Sequence, residues 1–237
     1  MAGARITVAL LAMLGLAACA APMTPPEAPG PRPAVSAFDS PEAAARNFIA
    51  VADRVMPVAT ALCRERTRNV PCDFQIAVDD RLDEPPNAFQ TLDAAGRPVL
   101  VFTVRLIAEV DNADEMAFVM GHEASHHIAG HIPRQQESAM TGALVAGTIA
   151  SLGGGSESAV RAAQDFGAEI GSRSFSQDFE LEADALGTEI AWRAGFDPLV
   201  GAEFFRRIPD PGSTFLGSHP PNARRLEVVR ATVAALQ

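Results

Sequence analysis

His122-Glu123-Ala124-Ser125-His126 is the stretch on which the reading of this chain turns. On an α-helix, residues four apart share a face, so His122 and His126 can aim a ring nitrogen at one ion while Glu123 stands about 100° around the helix beside them. That pattern serves metal-assisted hydrolysis. Two neutral imidazoles and one further ligand hold Zn²⁺ with a position left for water, and the adjacent carboxylate takes that water's proton as it attacks a carbonyl. His122 and His126 are therefore read as ligands of one zinc per chain and Glu123 as the catalytic base. Just upstream, Asn112 with Glu115 three residues on reads as the capping signal that opens this helix. A second pair at the same spacing, His127 and His131, has no Glu after its leading His. It is read as structural or as supporting the ligands from behind.

The third ligand separates the classes of zinc peptidase. A metzincin has a Gly and a third His at fixed spacing, but Ala129 and Ile132 occupy those positions, with Gly130 and His131 each one place out of register. A later glutamate is the other common solution. Phe179-Glu180-Leu181-Glu182-Ala183-Asp184 offers one in a helix-compatible run, where Glu180 and Asp184 share a face. That spacing allows Glu180 to ligate the metal while Asp184 accepts a hydrogen bond from the far nitrogen of a ligating histidine. His131 and Glu182 stand next in line for the ligand role.

The run from Asn112 to His131, ending in GHEASHHIAGH, is followed by FELEAD (179–184), AGFDP (194–198), SHPP (218–221) and Arg225. In that order, over about residues 45 to 230, the chain resembles the CAAX prenyl protease and HtpX-like zinc metallopeptidases, particularly their soluble periplasmic branch. The resemblance implies a gluzincin-like metalloprotease domain with His122, His126 and Glu180 as zinc ligands and Glu123 as general base. It also implies that His219 reaches the active site. One departure is Gln177, where the family often has an Arg three residues before the glutamate ligand.

The beginning of the chain reads as an export signal. Arg5 supplies positive charge, Ile6 to Leu16 an apolar stretch too short to remain as a membrane span, and Leu16-Ala17-Ala18-Cys19 a lipobox. The expected organisation is a lipoprotein signal peptide (1–18), a lipidated Cys19 with a Pro-rich tether (19–39), and a zinc metallopeptidase domain (40–237). Six prolines between residues 22 and 33 make the tether extended. Ala20 after the cysteine, by resemblance to Gram-negative lipoproteins, points to the periplasmic face of the outer membrane. The remaining cysteines, Cys63 and Cys72, are expected to form a disulfide in such an oxidising compartment. A net charge of −10, with no basic patch, argues against nucleic acid as a partner.

Periodicity and turn signals predict a mainly helical α+β domain with a small β-sheet beside the HExxH helix. Ser40-Pro41 opens a helix to about Arg66 with an apolar stripe of Phe48, Val51, Val55 and Leu62, and Pro57 is expected to kink it. Phe74 to Val78 reads as a strand. Ala88–Leu92 and Pro98–Thr103 read as a hairpin around Asp93 to Gly96, and a short helix follows to Val110. Residues 137–175 read as two helical pieces hinged at Gly153-Gly154-Gly155, either a loosely packed pair or a mobile cover over the cleft. Further helices are expected at 177–193, 198–207 and 221–236.

The function these features predict is that of a zinc metalloendopeptidase of the bacterial cell envelope. By the resemblance, it acts in quality control on unfolded, misfolded or unassembled envelope proteins, beside the outer-membrane assembly machinery and held to the membrane through its N-terminal lipid. With no tyrosine in the chain, the candidate donors to the oxyanion are His219, then Arg173 and Arg225. Two alternatives belong to other classes: a zinc-bound periplasmic chaperone or assembly factor with little proteolysis, and a cell-wall peptide hydrolase.

Overall fold

The helix signalled by Ser40-Pro41, α1 (Pro41–Arg66), begins with Ser40 Oγ accepting the amide of Ala43 at 3.2 Å. The hydroxyl satisfies one of the amides that a helix start leaves unpaired, and Pro41 sits where no amide hydrogen is needed. The helix runs on through Pro57 without interruption and buries the stripe read from the sequence. The structure, a computed structural model, describes residues 40–173, 176–210 and 220–237. The signal segment, Cys19, the tether, Ser218 and His219 therefore lie outside the described residues, as does the side chain of Arg173.

Three strands follow: β1 (Gln75–Asp79), β2 (Ala88–Leu92) and β3 (Pro98–Thr103). Their order is β1-β3-β2, with β2 antiparallel to the central β3 and β1 parallel to it. The hairpin turn is closed by Asp93, whose Oδ1 accepts the amides of Ala95 and Arg97 at 2.9 Å each. Pro98 has no amide to give the ladder and falls at the first residue of β3, opposite Leu92. Thr103 ends that strand and caps α2 (Val104–Glu109), its Oγ1 accepting the amides of Leu106 and, from the strand side, Asn87.

The helix carrying the HExxH sequence, α3 (Ala113–Ile128), is capped as expected by Asn112, whose Oδ1 accepts the amide of Glu115 at 2.9 Å. The return half of the capping box differs. The Glu115 carboxylate accepts the Asp111 amide at 2.9 Å and a two-pronged contact from Arg207, with Nη2 at 2.6 Å. Burial explains the choice, because a carboxylate that is 1% exposed needs a cation. Helices α4 (His131–Leu152) and α5 (Glu157–Arg173) form a hairpin. Helix α6 (Ser176–Arg193) then returns along α3 and stops at Gly195 (φ 81°), where Phe196 donates its amide back to Ala191.

The single helix expected over 198–207 is instead α7 (Pro198–Gly201) winding into a 3-10 turn at Ala202–Arg206, before α8 (Asn222–Leu236). In that turn Phe205 meets Phe118 of α3 edge to face at 5.4 Å. The main core joins α1, the sheet, α3 and α6 through Phe48, Leu62, Phe102, Met116, Met120 and Ile190, and a smaller cluster of Phe118, Ala202, Phe205 and Val229 seats α8 against α3. A disulfide between Cys63 and Cys72 ties the end of α1 to the segment leading into β1.

Candidate metal centre

Helices α3 and α6 touch backbone to backbone one residue before His122. A β-carbon on Gly121 would lie 2.8 Å from the carbonyl oxygen of Gly187, and one on Gly187 only 2.7 Å from the amide nitrogen of His122. No residue with a side chain fits either place. The crossing sets Asp184 and Glu180, one and two turns earlier on α6, directly against His122 and His126. Sequence reasoning missed Gly187, whose signal is a small residue on the face of α6 that also carries Glu180 and Asp184.

His122 Nε2 and His126 Nε2 lie 3.0 Å apart, and the Glu180 carboxylate oxygens lie 3.5 and 3.4 Å from them respectively. Two helices thus bring three donor atoms into a small triangle, a group able to hold a metal ion. Each imidazole is held from behind. His122 Nδ1 donates to Asp184 Oδ1 at 3.0 Å, and Asp184 is clamped by Arg225, whose Nε and Nη2 donate to the two carboxylate oxygens at 2.7 Å each. His126 Nδ1 meets His131 Nδ1, while His131 Nε2 points to Glu182 Oε2 at 3.2 Å. Arg134 donates to the same Glu182 oxygen at 2.7 Å and lies over the ring of Phe179, which stacks on His131.

Residues 50–233 match the profile of peptidase family M48. The chain belongs to this family. Membership bears out the family resemblance, the mainly helical fold with its small sheet, and the peptidase class read from the sequence. Among curated proteins the chain is similar to the beta-barrel assembly-enhancing proteases of Escherichia coli (strain K12) and Shigella flexneri, each 34% identical over 118 residues covering 47% of this chain and 24% of the relative. The protein of the same name from Yersinia pestis is 33% identical over 112 residues, 44% of this chain and 23% of its own length. The chain thus aligns with about a quarter of the length of the curated relatives it matches.

In this M48 chain the electrostatics of the triangle depend on burial and two carboxylates. Burial opposes a charged His122 ring, but Asp184 and Glu180 outweigh it and push its pKa up to about 10. Burial and the neighbouring charge of His122 push His126 down to about 3. The site without metal therefore carries one positive charge on its two rings, at His122. Asp184 is deeply buried, which favours its neutral form, yet Arg225 and His122 hold its pKa below the ordinary carboxylate range.

Glu123 is buried between two hollows that meet at the triangle. One, of about 270 Å³, lies between Ala88–Gln90 of β2 and the start of α4 at His131, Ile132 and Gln135. The other, of about 350 Å³, is lined by apolar side chains including Leu106, Phe118, Phe204 and Ile208. His127 takes no part: its Nε2 donates to the Pro71 carbonyl at 2.7 Å, and its ring meets Phe74 edge to face. Arg225, a candidate oxyanion donor in the sequence, gives its hydrogen bonds to Asp184 instead.

Proposed function

We propose that this chain is a zinc-dependent endopeptidase of the bacterial cell envelope acting on misfolded or unassembled envelope proteins. The observation that carries the reading is the donor group of His122, His126 and Glu180, in which the two Nε2 atoms lie 3.0 Å apart and each lies 3.5 or 3.4 Å from a different oxygen of Glu180, close to the roughly 3.3 Å between neighbouring ligands of a tetrahedral zinc. Zinc bound by His122, His126 and Glu180 supplies a polarised carbonyl and an acidified water. Glu123, on the same helix and facing both hollows, takes the water's proton and passes it to the leaving nitrogen. Asp184 and His131 hold the ligating rings in one tautomer.

The substrate is an extended polypeptide added to β2. Among the described residues β2 pairs only with β3, so its other edge is open along the cleft and offers backbone partners to any sequence. That suits unfolded clients. Placement in the envelope rests on the lipobox ending at Cys19, and a role beside outer-membrane assembly on the names of the relatives. His219 is the proposed donor to the oxyanion, or the resting occupant of the water's place.

Cleavage of unfolded casein by the zinc-loaded chain, abolished by a chelator and restored by zinc, is the expected result. Glu123→Gln should keep about one zinc per chain and lose cleavage by several orders of magnitude. Intact casein with cleaved peptidoglycan peptides would transfer the chain to the cell wall, and casein bound but uncut would make it a chaperone. Mass spectrometry of the mature protein should find acyl chains on Cys19 and no free thiol before reduction.

A further inference from the structure

Helices α4 and α5 join through small residues and turn their large apolar side chains outward. A β-carbon on Gly142 would lie 2.0 Å from the Gly167 carbonyl oxygen, one on Gly167 2.2 Å from that of Gly142, and one on Gly171 2.1 Å from that of Ser138. With the backbones this close, Val145, Ile149, Phe166 and Ile170 border a groove of about 580 Å³ along the hairpin. Much of the hairpin's apolar surface faces outward: Met140 is 73% exposed, Ile149 66%, Phe166 64% and Leu152 85%. An apolar surface this continuous marks a binding site.

The groove begins within one turn of α4 from the end of the metal cleft. His131, Ile132 and Gln135 in the first turns of α4 line that cleft, and Glu137 and Ser138, on the next turn, open the groove. Building on the peptidase reading above, we propose that the α4–α5 hairpin is an exosite that binds an apolar stretch of the same polypeptide whose backbone lies in the cleft.

Length and charge both favour that occupant. From Gln135 to Val145 the helix rises about 15 Å, which an extended chain spans in about five residues. Between Ala139 and Val160 the only charged residue is Glu157, which pairs with Arg161. The cation nearest the tip of the hairpin, Arg161, is already paired with Glu157, which leaves no net positive charge there for the anionic headgroups of a membrane. An exosite of this kind selects chains with exposed apolar segments, which folded proteins bury.

The test uses two labelled peptides with the same central segment, one short and one carrying three apolar residues five to eight positions away, with the extension placed on either side in separate versions. Binding is read by fluorescence anisotropy on the zinc-loaded Glu123→Gln chain, so that no cleavage intervenes. One of the two extensions should tighten binding about tenfold, the worth of roughly one half-buried aliphatic side chain. In Val145→Glu combined with Ile149→Glu, and separately in Phe166→Glu across the groove, the ratio of extended to short affinity should fall to about one.

No gain from either extension, or a gain that survives in both variants, overturns the exosite. Binding to phosphatidylethanolamine–phosphatidylglycerol vesicles that the same variants abolish, without any peptide gain, assigns the face to a lipid surface instead. Self-association lost in the variants would assign it to a second copy. Failure of the peptidase reading is separate: it appears as intact casein with the wild-type chain, whatever the anisotropy shows.

Discussion

His131 Nδ1 stands 2.8 Å from Nδ1 of His126. Two ring nitrogens at that distance share one proton, and the hydrogen-bond network assigns it. His122 is protonated and donates from Nε2 to His126 Nε2 at 3.0 Å, so the proton of neutral His126 is on Nδ1 and His131 accepts it. His131 then carries its own proton on Nε2, which faces Glu182, and Arg134 neutralises that carboxylate. A residue outside the HExxH sequence thereby fixes the tautomer of one inside it.

Replacing that acceptor should loosen the metal without removing a ligand. His131→Phe keeps an aromatic ring to stack on Phe179 but cannot accept from His126, and zinc affinity should fall about 10- to 100-fold. Competition with a chromophoric chelator measures it. Unchanged affinity would mean that another group sets the His126 tautomer.

Glu180 and Asp184 should separate cleanly. Glu180→Ala is expected to lose bound zinc outright, whereas Asp184→Asn should retain it with affinity lower by about 10- to 100-fold. Metal analysis after exhaustive dialysis distinguishes them. Full zinc occupancy in Glu180→Ala would move the third ligand to another residue.

Zinc uptake should expel one proton at neutral pH. His122 is protonated in the site without metal up to about pH 10, while His126 is already neutral above about pH 3. Because the metal needs both rings neutral, rising pH removes a competitor. Apparent affinity should therefore climb about tenfold per pH unit until it levels near pH 10. Calorimetry at pH 7 in buffers of different ionisation enthalpy counts the proton; a count near zero would contradict this charge state.

Gly187→Ala probes the helix crossing. The new β-carbon would sit 2.7 Å from the His122 amide nitrogen, so the helices must part, at a cost of about 1–3 kcal/mol. Thermal unfolding and zinc titration should show a lower Tm and weaker metal binding together. A loss of stability with metal affinity intact would show that the crossing does not position the ligands.

The parts of the fold that announce themselves locally were legible in the sequence. Ser40, Asn112 and Gly195 act within a turn of where they stand, and the hairpin about Asp93 needs only its own residues. What escaped depends on partners distant in the chain. The parallel pairing of β1 with β3 crosses over another strand, the Glu115 carboxylate left its expected capping partner for Arg207, 92 positions away, and Phe205 follows a 3-10 path against Phe118. At the site, residue spacing brought His122, His126, Glu180 and Asp184 under consideration. The roles of Arg225 behind Asp184 and of Glu182 and Arg134 behind His131 follow from the crossing of α3 and α6, which no local pattern encodes.

The contact of Gly121 with Gly187 acts as a gauge block. Where helices meet through leucines and phenylalanines, their spacing is set by rotamers, and each substitution or rise in temperature resets it slightly. Here it is set by the radii of a carbonyl oxygen and an α-carbon, which no mutation elsewhere alters. The core beneath α1 and the sheet is thus free to drift in sequence while the gap between His122 on one helix and Glu180 on the other holds its calibration.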